Sequence, residues 1–125
     1  MKTRTKNNTL AEIAEFLKTL DRVAVTTHVG SDGDAIGASA ALVRLMRRLG
    51  ATAVFCHAEG APEYLGWLLP DEPLRELPPD HDLLVADTSR ADRTGVPVPE
   101  AGVRLNIDHH EDNPLYAEYL SLIHI

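Results

Sequence analysis

The sequence predicts an α/β domain built on an open, mainly parallel sheet. Short apolar runs of strand length recur along the chain, and segments with helical spacing or long connections separate them. Parallel strands need such crossovers, because the chain has to return to the same edge before the next strand starts. A length of 125 residues is enough for one compact domain and too short for two of ordinary size.

Composition and charge exclude several classes of protein. With 44% hydrophobic and 25% charged residues, the chain is typical of a globular protein and not of a disordered or membrane-spanning one. The formal net charge of −7 argues against a broad basic face for long nucleic acids, so any phosphate ligand has to be bound locally. Cys56 is the only cysteine, which excludes a disulfide framework and favours the reducing cytoplasm.

The first 50 residues predict a helix, a strand and a second helix. Thr9 and Glu12 match a capping box, and apolar residues then recur at helical spacing. Gly50 fits the position just beyond a helix C-terminus, where glycine is common. The predicted elements are a helix from Leu10 to Leu20, a strand from Val23 to Thr27 and a helix from Ala35 to Leu49.

The rest of the chain predicts three more strands and one short helix. Prolines concentrate between Pro70 and Pro79, which indicates a surface connection. Trp67, in the short helix, is predicted to face the core. The predicted elements are strands from Thr52 to Cys56, Asp82 to Ala86 and Val103 to Ile107, and a helix from Pro62 to Leu69.

Acidic and histidine residues follow three of the four predicted strands. The carboxyl ends of parallel strands lie at one edge of the sheet, where loops and helix N-termini form ligand sites. We therefore expect four carboxylates and three imidazoles to converge there. They are His28, Asp32 and Asp34 after the first strand, Asp87 after the third, and Asp108, His109 and His110 after the fourth.

Such a cluster predicts a pair of divalent cations. Carboxylates packed together raise one another's pKa unless cations neutralise them. Mixed oxygen and nitrogen ligands suit Mn²⁺, Fe²⁺, Co²⁺ or Zn²⁺, and Mn²⁺ is our first choice. Two ions about 3.5–4 Å apart can share a carboxylate and activate a water, which favours hydrolysis at phosphorus.

Each motif taken alone also has an ordinary structural interpretation. Asp32 could be the N-cap of the next helix, and Asp87 could cap the end of its strand. The tandem histidines could be one packed and one exposed side chain. His57 and His81 are interpreted as structural histidines at a strand end or in a loop.

Three motifs in this order resemble those of the DHH phosphoesterase superfamily. They are His28-x-x-x-Asp32-Gly-Asp34-Ala-Ile-Gly37, Asp87-Thr-Ser-x-x-x-Arg93 and Asp108-His-His-x-x-Asn113. The resemblance covers about residues 8–118 and points to the bacterial nanoRNase and pAp-phosphatase branch, in which a histidine precedes Asp-Gly-Asp-Ala-Ile-Gly. It implies a three-layer, Rossmann-like domain, truncated in this chain, and a manganese-dependent phosphoesterase.

The resemblance also implies roles for the motif residues. Asp108 would orient the neighbouring histidine, and His110 would place the substrate phosphate or protonate the leaving group. Arg93 would support the phosphate or the loop, and Asn113 a local turn. The metal ligands would be His28 and Asp32 for one ion, Asp34 and His109 for the other, and Asp87 as the bridge.

Substrates, cofactors and partners follow from the same resemblance. It implies two Mn²⁺ ions, with Co²⁺ or Mg²⁺ as alternatives, and short oligoribonucleotides or the 3′-phosphate of pAp as substrates. It also implies a cytoplasmic protein that binds neither membranes nor long nucleic acids, and a homodimer as the form of the full-length protein.

The family's fourth motif and its smaller glycine-rich lobe have no counterpart in the sequence. We therefore expect a flexible N-terminus at 1–8, the N-terminal part of the phosphoesterase domain at 9–119, and an atypical, foreign tail at 120–125. Because a lost ligand and lobe remove substrate positioning, we expect weak Mn²⁺ binding and little turnover.

Two other functions remain open on the sequence. A non-catalytic nucleotide- or metal-binding module could use the same ligands without cleavage. An aspartyl-nucleophile phosphatase could use Asp32-x-Asp34, but that class needs a threonine two residues beyond the second aspartate, where this chain has Ile36.

Overall fold

The structure, a computed structural model, describes residues 8–110, 113 and 116–122, without the side chains of 120–122. Five parallel strands form one sheet in the order β2-β1-β3-β4-β5, which confirms the predicted α/β class. The elements are α1 (Leu10–Leu17), β1 (Arg22–Thr26), α2 (Gly33–Arg48), β2 (Thr52–Phe55), a 3₁₀ helix (Glu63–Leu68), β3 (Asp82–Ala86), a second 3₁₀ helix (Ala91–Arg93), β4 (Val103–Asp108) and β5 (Tyr119–Leu122).

Both α-helices begin where a side chain satisfies free backbone N–H groups. Thr9 and Glu12 form the predicted capping box of α1. The helix ends at Leu17, earlier than predicted, and the Thr19 hydroxyl then donates to the Phe16 carbonyl. Asp32 accepts from the Ala35 N–H at 2.9 Å, so α2 starts at Gly33 and the N-cap interpretation of Asp32 is confirmed.

The short helix after β2 differs from the prediction. It is a 3₁₀ helix, and the prediction that Trp67 faces the core is wrong, because this side chain is 76% exposed. In a 3₁₀ helix, residues three apart lie on the same side, so Trp67 shares the exposed side with Tyr64. Leu65 is the buried residue of this helix and packs into the core.

The sheet is buried on both faces and forms a rigid floor for the loops at its ends. Val23, Ala24 and Val25 of β1 are fully buried, as expected for a central parallel strand. The helices cover the face of Val23 and Val25, whereas connections between strands, including Val96 and Leu77, cover the face of Ala24.

Strand order places the loops after β1 and β3 side by side. The chain passes from β1 to β2 on one side and then crosses to β3 on the other, so the order reverses next to β1. A crevice outside the strand ends forms at such a reversal and is the usual ligand site of open α/β sheets. The predicted site residues therefore lie around this crevice.

The C-terminal strand β5 pairs with β4 in parallel, with Tyr119 opposite Leu105. The predicted boundary at residue 120 falls within this strand, and the foreign origin of 120–125 stays a prediction. Residues 1–7, which form most of the predicted flexible N-terminus, and 123–125 lie outside the described residues. Within the described ranges, no helix combines the length and apolar character needed to cross a bilayer.

Candidate metal centre

The loops after β1, β3 and β4 meet around one open cleft of about 460 Å³ at the carboxyl edge of the sheet. His28 and Asp32 come from the β1–α2 loop. Asp87 directly follows β3, and His110 lies two residues after β4. The lining residues are His28, Asp32, Asp87, Thr88, Ser89, Arg90, Arg93 and His110.

Asp87 lies at the centre of the cluster, and its two carboxylate oxygens face different histidines. Its Oδ1 is 2.8 Å from Nε2 of His109, and its Oδ2 is 3.6 Å from Nε2 of His28. The Asp87 side chain is only 7% exposed, so both oxygens are directed by packing and are not free in solvent. The arrangement is that of a carboxylate shared between two sites.

Each of these histidines also faces one aspartate of the Asp-Gly-Asp turn. Nε2 of His28 is 4.0 Å from Oδ1 of Asp32, and Nε2 of His109 is 3.4 Å from Oδ2 of Asp34. Two donors bound about 2.1 Å from one ion lie roughly 3–3.5 Å apart in octahedral or tetrahedral geometry. The ligand atoms of His28, Asp32 and Asp87 all lie within 4.8 Å of one another, so a small rearrangement brings them around one ion. The other convergent group is Asp87, Asp108, His109 and His110, and Asp34 lies 3.4 Å from it at His109.

The backbone at Asp87 is held in a conformation that residues other than glycine rarely adopt. Its φ is +54°, in the left-handed region, and its N–H donates to the Ile107 carbonyl at 2.7 Å. The next carbonyl, of Thr88, accepts from the Tyr116 hydroxyl at 2.7 Å and from Asn106 Nδ2 at 3.2 Å. These contacts maintain the strained turn that directs Asp87 into the cleft.

The electrostatics of Asp87 favour a bound cation. Burial raises the pKa of its carboxyl, and the nearby Asp34 carboxylate raises it further. The hydrogen bond and positive charge of His109, and the charge of His28, lower the pKa in part. The negative charge of a buried carboxylate beside a second acid is unfavourable, and divalent cations bound between the two groups stabilise it.

The donor chemistry of the residues fits a divalent metal pair. Nδ1 of His28 is 2.7 Å from the Val29 carbonyl, so Nδ1 carries a hydrogen and donates it, which leaves Nε2, on the side of Asp87, as the ring nitrogen that can bind a metal. A histidine fixed in this way by a backbone carbonyl is the usual form of a metal-ligating imidazole. Nitrogen and carboxylate oxygen together suit Mn²⁺ and its neighbours in the first transition row.

Asp108 contacts His110, whereas the sequence predicted that it orients His109. The Asp108 side chain is fully buried, and its Oδ1 lies 2.5 Å from Nδ1 of His110. Its Oδ2 accepts from Nδ2 of Asn113 at 2.8 Å. The pairing of Ala86 with Ile107 brings the residues that follow β3 and β4 together, and there His109 contacts Asp87.

Two polar residues of the site were missed by sequence reasoning. Asn106 is fully buried in β4, accepts from Asn113 at 2.6 Å and donates to the Thr88 carbonyl. A polar side chain within an apolar strand was a usable signal for it. Arg90 lines the cleft beside Arg93 and forms a two-point ion pair with Asp92, at 3.0 and 2.8 Å, and no pattern in the sequence distinguished it.

Comparison with known proteins gives two matches. A family model described as "DHH family, N-terminal domain" matches residues 22–124. A protein of Thermus thermophilus named "Bifunctional oligoribonuclease and PAP phosphatase NrnA" is 38% identical over 109 residues, which are 83% of this chain and 33% of that protein. The chain thus spans about a third of the length of this relative.

Proposed function

The chain belongs to the DHH family, and we propose that it is the N-terminal, metal-binding part of a phosphoesterase that hydrolyses short oligoribonucleotides or the 3′-phosphate of pAp. The division of the Asp87 carboxylate between two His–Asp groups carries this proposal. A family match over residues 22–124 and the printed activities of the Thermus thermophilus relative support the reaction class.

We assign the ligands to two sites. The first site consists of His28, Asp32 and Oδ2 of Asp87, and the second site consists of Asp34, His109 and Oδ1 of Asp87. Mn²⁺ is the proposed ion for both, with Co²⁺ or Mg²⁺ as alternatives. When bound, a pair of such cations supplies an acidified water and neutralises charge on the phosphate.

His110 is the proposed proton donor to the leaving oxygen. Asp108 accepts from Nδ1–H of this ring, and the contact fixes the ring at the cleft wall. Asn113 donates to the other oxygen of Asp108 and thereby orients the carboxylate. The proposed proton donor, His110, is thus held in place by Asp108 at the end of β4.

Arg93 is the proposed phosphate-binding residue of the cleft. It lines the cleft together with Arg90, whose guanidinium pairs with Asp92, in a chain with a net charge of −7. A guanidinium binds two phosphate oxygens at once, which favours a substrate with a phosphate beyond the one that is cleaved. pAp carries such a second phosphate, and so does an oligonucleotide of three or more nucleotides.

Cys56 bears on the location of the protein. It is buried and forms no disulfide, which supports the proposed cytoplasmic location, and the homodimer of the full-length protein stays a prediction.

An aspartyl-nucleophile mechanism is not favoured, because it gives no role to Asp87 and His109, which are hydrogen bonded to each other.

The test measures Mn²⁺ binding and Mn²⁺-dependent hydrolysis by the 125-residue chain, with pAp and an RNA dinucleotide as substrates. We expect two ions per chain and slow hydrolysis that Asp87→Asn abolishes. Asp21→Asn removes an exposed carboxylate at the opposite edge of the sheet and is the matched control. Absence of Mn²⁺ binding, or hydrolysis that survives Asp87→Asn, would overturn the proposal.

A further inference from the structure

His57 follows β2 and lies directly behind the loop that carries His28. Its side chain is fully buried, and its Nε2 is 2.9 Å from the His28 carbonyl oxygen. Its Nδ1 is 3.1 Å from the Glu59 backbone nitrogen, whose N–H can only donate. Nδ1 is therefore the acceptor, Nε2 carries the hydrogen, and the ring donates it to the backbone of His28.

The backbone packed around the His57 ring allows the ring only one position. A Cβ at Gly95 would lie 2.2 Å from the ring carbon Cδ2 of His57, so only glycine fits there. Gly95 is itself fixed, since its N–H donates to the Thr27 carbonyl at 2.7 Å and its carbonyl accepts from the Ala58 N–H at 2.8 Å. The ring is thus enclosed by backbone that belongs to the sheet edge.

The same loop is held at a second point from the end of β2. Oε1 of Glu59 accepts from the N–H of Gly30 at 2.9 Å, and Gly30 has a φ of +64°, which glycine adopts without strain. The His28 carbonyl and the Gly30 N–H therefore both bind residues that follow β2, and these contacts fix the backbone on both sides of Val29.

The second site has separate supports. Asp87 is positioned by Ile107 and by the contacts of the Thr88 carbonyl, and His109 follows β4. Across the described residues, no hydrogen bond joins His57 to Asp34, Asp87 or His109. A change at His57 therefore acts on one of the two ligand groups.

We propose that His57 is a positioning residue that sets the position and orientation of the His28 side chain. It thereby sets the Mn²⁺ affinity of the first site alone. The inference rests on the two-site function proposed above. It replaces the interpretation of His57 as a merely structural histidine, because the donated hydrogen bond ends on the backbone of a proposed ligand.

The test compares His57→Leu with His57→Gln. Leucine fills a similar volume without a donor, whereas the glutamine amide can still donate to the His28 carbonyl. Mn²⁺ titration followed by electron paramagnetic resonance reports the affinity of each site and the coupling between the two ions. We expect His57→Leu to weaken the first site by about tenfold or more, with the second within about threefold, and His57→Gln to restore binding.

His81→Leu is the matched control, since it removes a histidine before β3, at the other edge of the sheet. Near-UV circular dichroism establishes that each variant is folded. A folded His57→Leu that binds both ions like the wild type, or that weakens both sites equally, would overturn the inference. If the wild type binds no Mn²⁺, the proposed function fails instead, so the two failures are distinguishable.

A second measurement needs no variant. Long-range ¹H–¹⁵N correlation spectra of the wild-type chain report which ring nitrogen of His57 carries the hydrogen. We expect the Nε2–H form, with this hydrogen protected from exchange by the bond to the His28 carbonyl. A His57 ring in the Nδ1–H form would contradict the inference even if every variant misfolded.

Discussion

The two edges of the sheet each carry an acidic cleft, and they differ in how the acids are held. At the amino edge, Asp21, Asp80 and Asp82 line an open cleft of about 610 Å³, larger than the one at the carboxyl edge. Asp82 there is paired with Arg104 at 2.9 Å. At the carboxyl edge, Asp87 is buried between two imidazoles.

The comparison shows that neither cleft size nor acidity identifies a metal centre. An acid paired with arginine already has its positive charge and gains little from a cation. The two histidines compensate the buried Asp87 carboxylate only in part, because burial and Asp34 still raise its pKa, and divalent cations supply the remaining positive charge.

The largest effect is expected from Asp87→Asn, which removes the carboxylate shared by both sites. We expect Mn²⁺ affinity to fall by at least about a hundredfold, beyond the range typical of outer-shell changes. Asp82→Asn at the amino edge should leave it unchanged. Isothermal titration calorimetry checks both, and a loss in Asp82→Asn equal to that in Asp87→Asn would remove the distinction between the edges.

A smaller effect is expected from Asp108→Asn, because Asp108 accepts a hydrogen bond from His110, which is not one of the proposed ligands. The amide oxygen accepts from Nδ1–H of His110 more weakly than a carboxylate, and the amide NH₂ cannot accept from Asn113, so we expect turnover of pAp to fall about tenfold to a hundredfold. Mn²⁺ affinity should stay within about threefold of the wild type. Kinetic and binding measurements on the same variant check this difference between turnover and Mn²⁺ affinity. A loss of affinity as large as the loss of turnover would contradict the prediction.

Without metal, Asp87→Asn should stabilise the fold at pH 7. A raised pKa in the folded state means that folding takes up protons above the ordinary pKa of the carboxyl, so stability falls as pH rises through that window. Asparagine does not ionise, so it removes this loss of stability. We expect the free energy of unfolding to rise by about 1 kcal/mol at pH 7, and this gain to disappear near pH 3. Thermal unfolding in EDTA checks it; an unstable variant at pH 7 contradicts it.

The smallest effect is expected at Cys56, which tests whether the floor of the carboxyl edge opens. Burial raises the pKa of its thiol to about 12, so almost no thiolate forms between pH 7 and 9. We expect no reaction with a thiol reagent in the native chain over that range, with or without Mn²⁺. Mass spectrometry detects the adduct, and rapid native labelling would contradict a closed floor.

The elements that were predicted well have signals confined to neighbouring residues. The capping box at Thr9 and the apolar run of β3 each specify local structure without help from distant contacts. Trp67 was predicted wrongly because its segment is 3₁₀ and not α-helical, and packing of Leu65 against the core decides which side is buried. Sequence spacing alone does not distinguish the two helix types.

What the sequence determined is the set of reactive residues and the edge at which they meet, because parallel strands deliver their following residues to the same side. Only the tertiary structure decided which side chain faces which. Asp108 reaches His110, the Asp87 oxygens divide between His28 and His109, and His57 binds the His28 loop through contacts between residues distant in the chain. Such pairings depend on strand register and backbone strain, which no local pattern encodes.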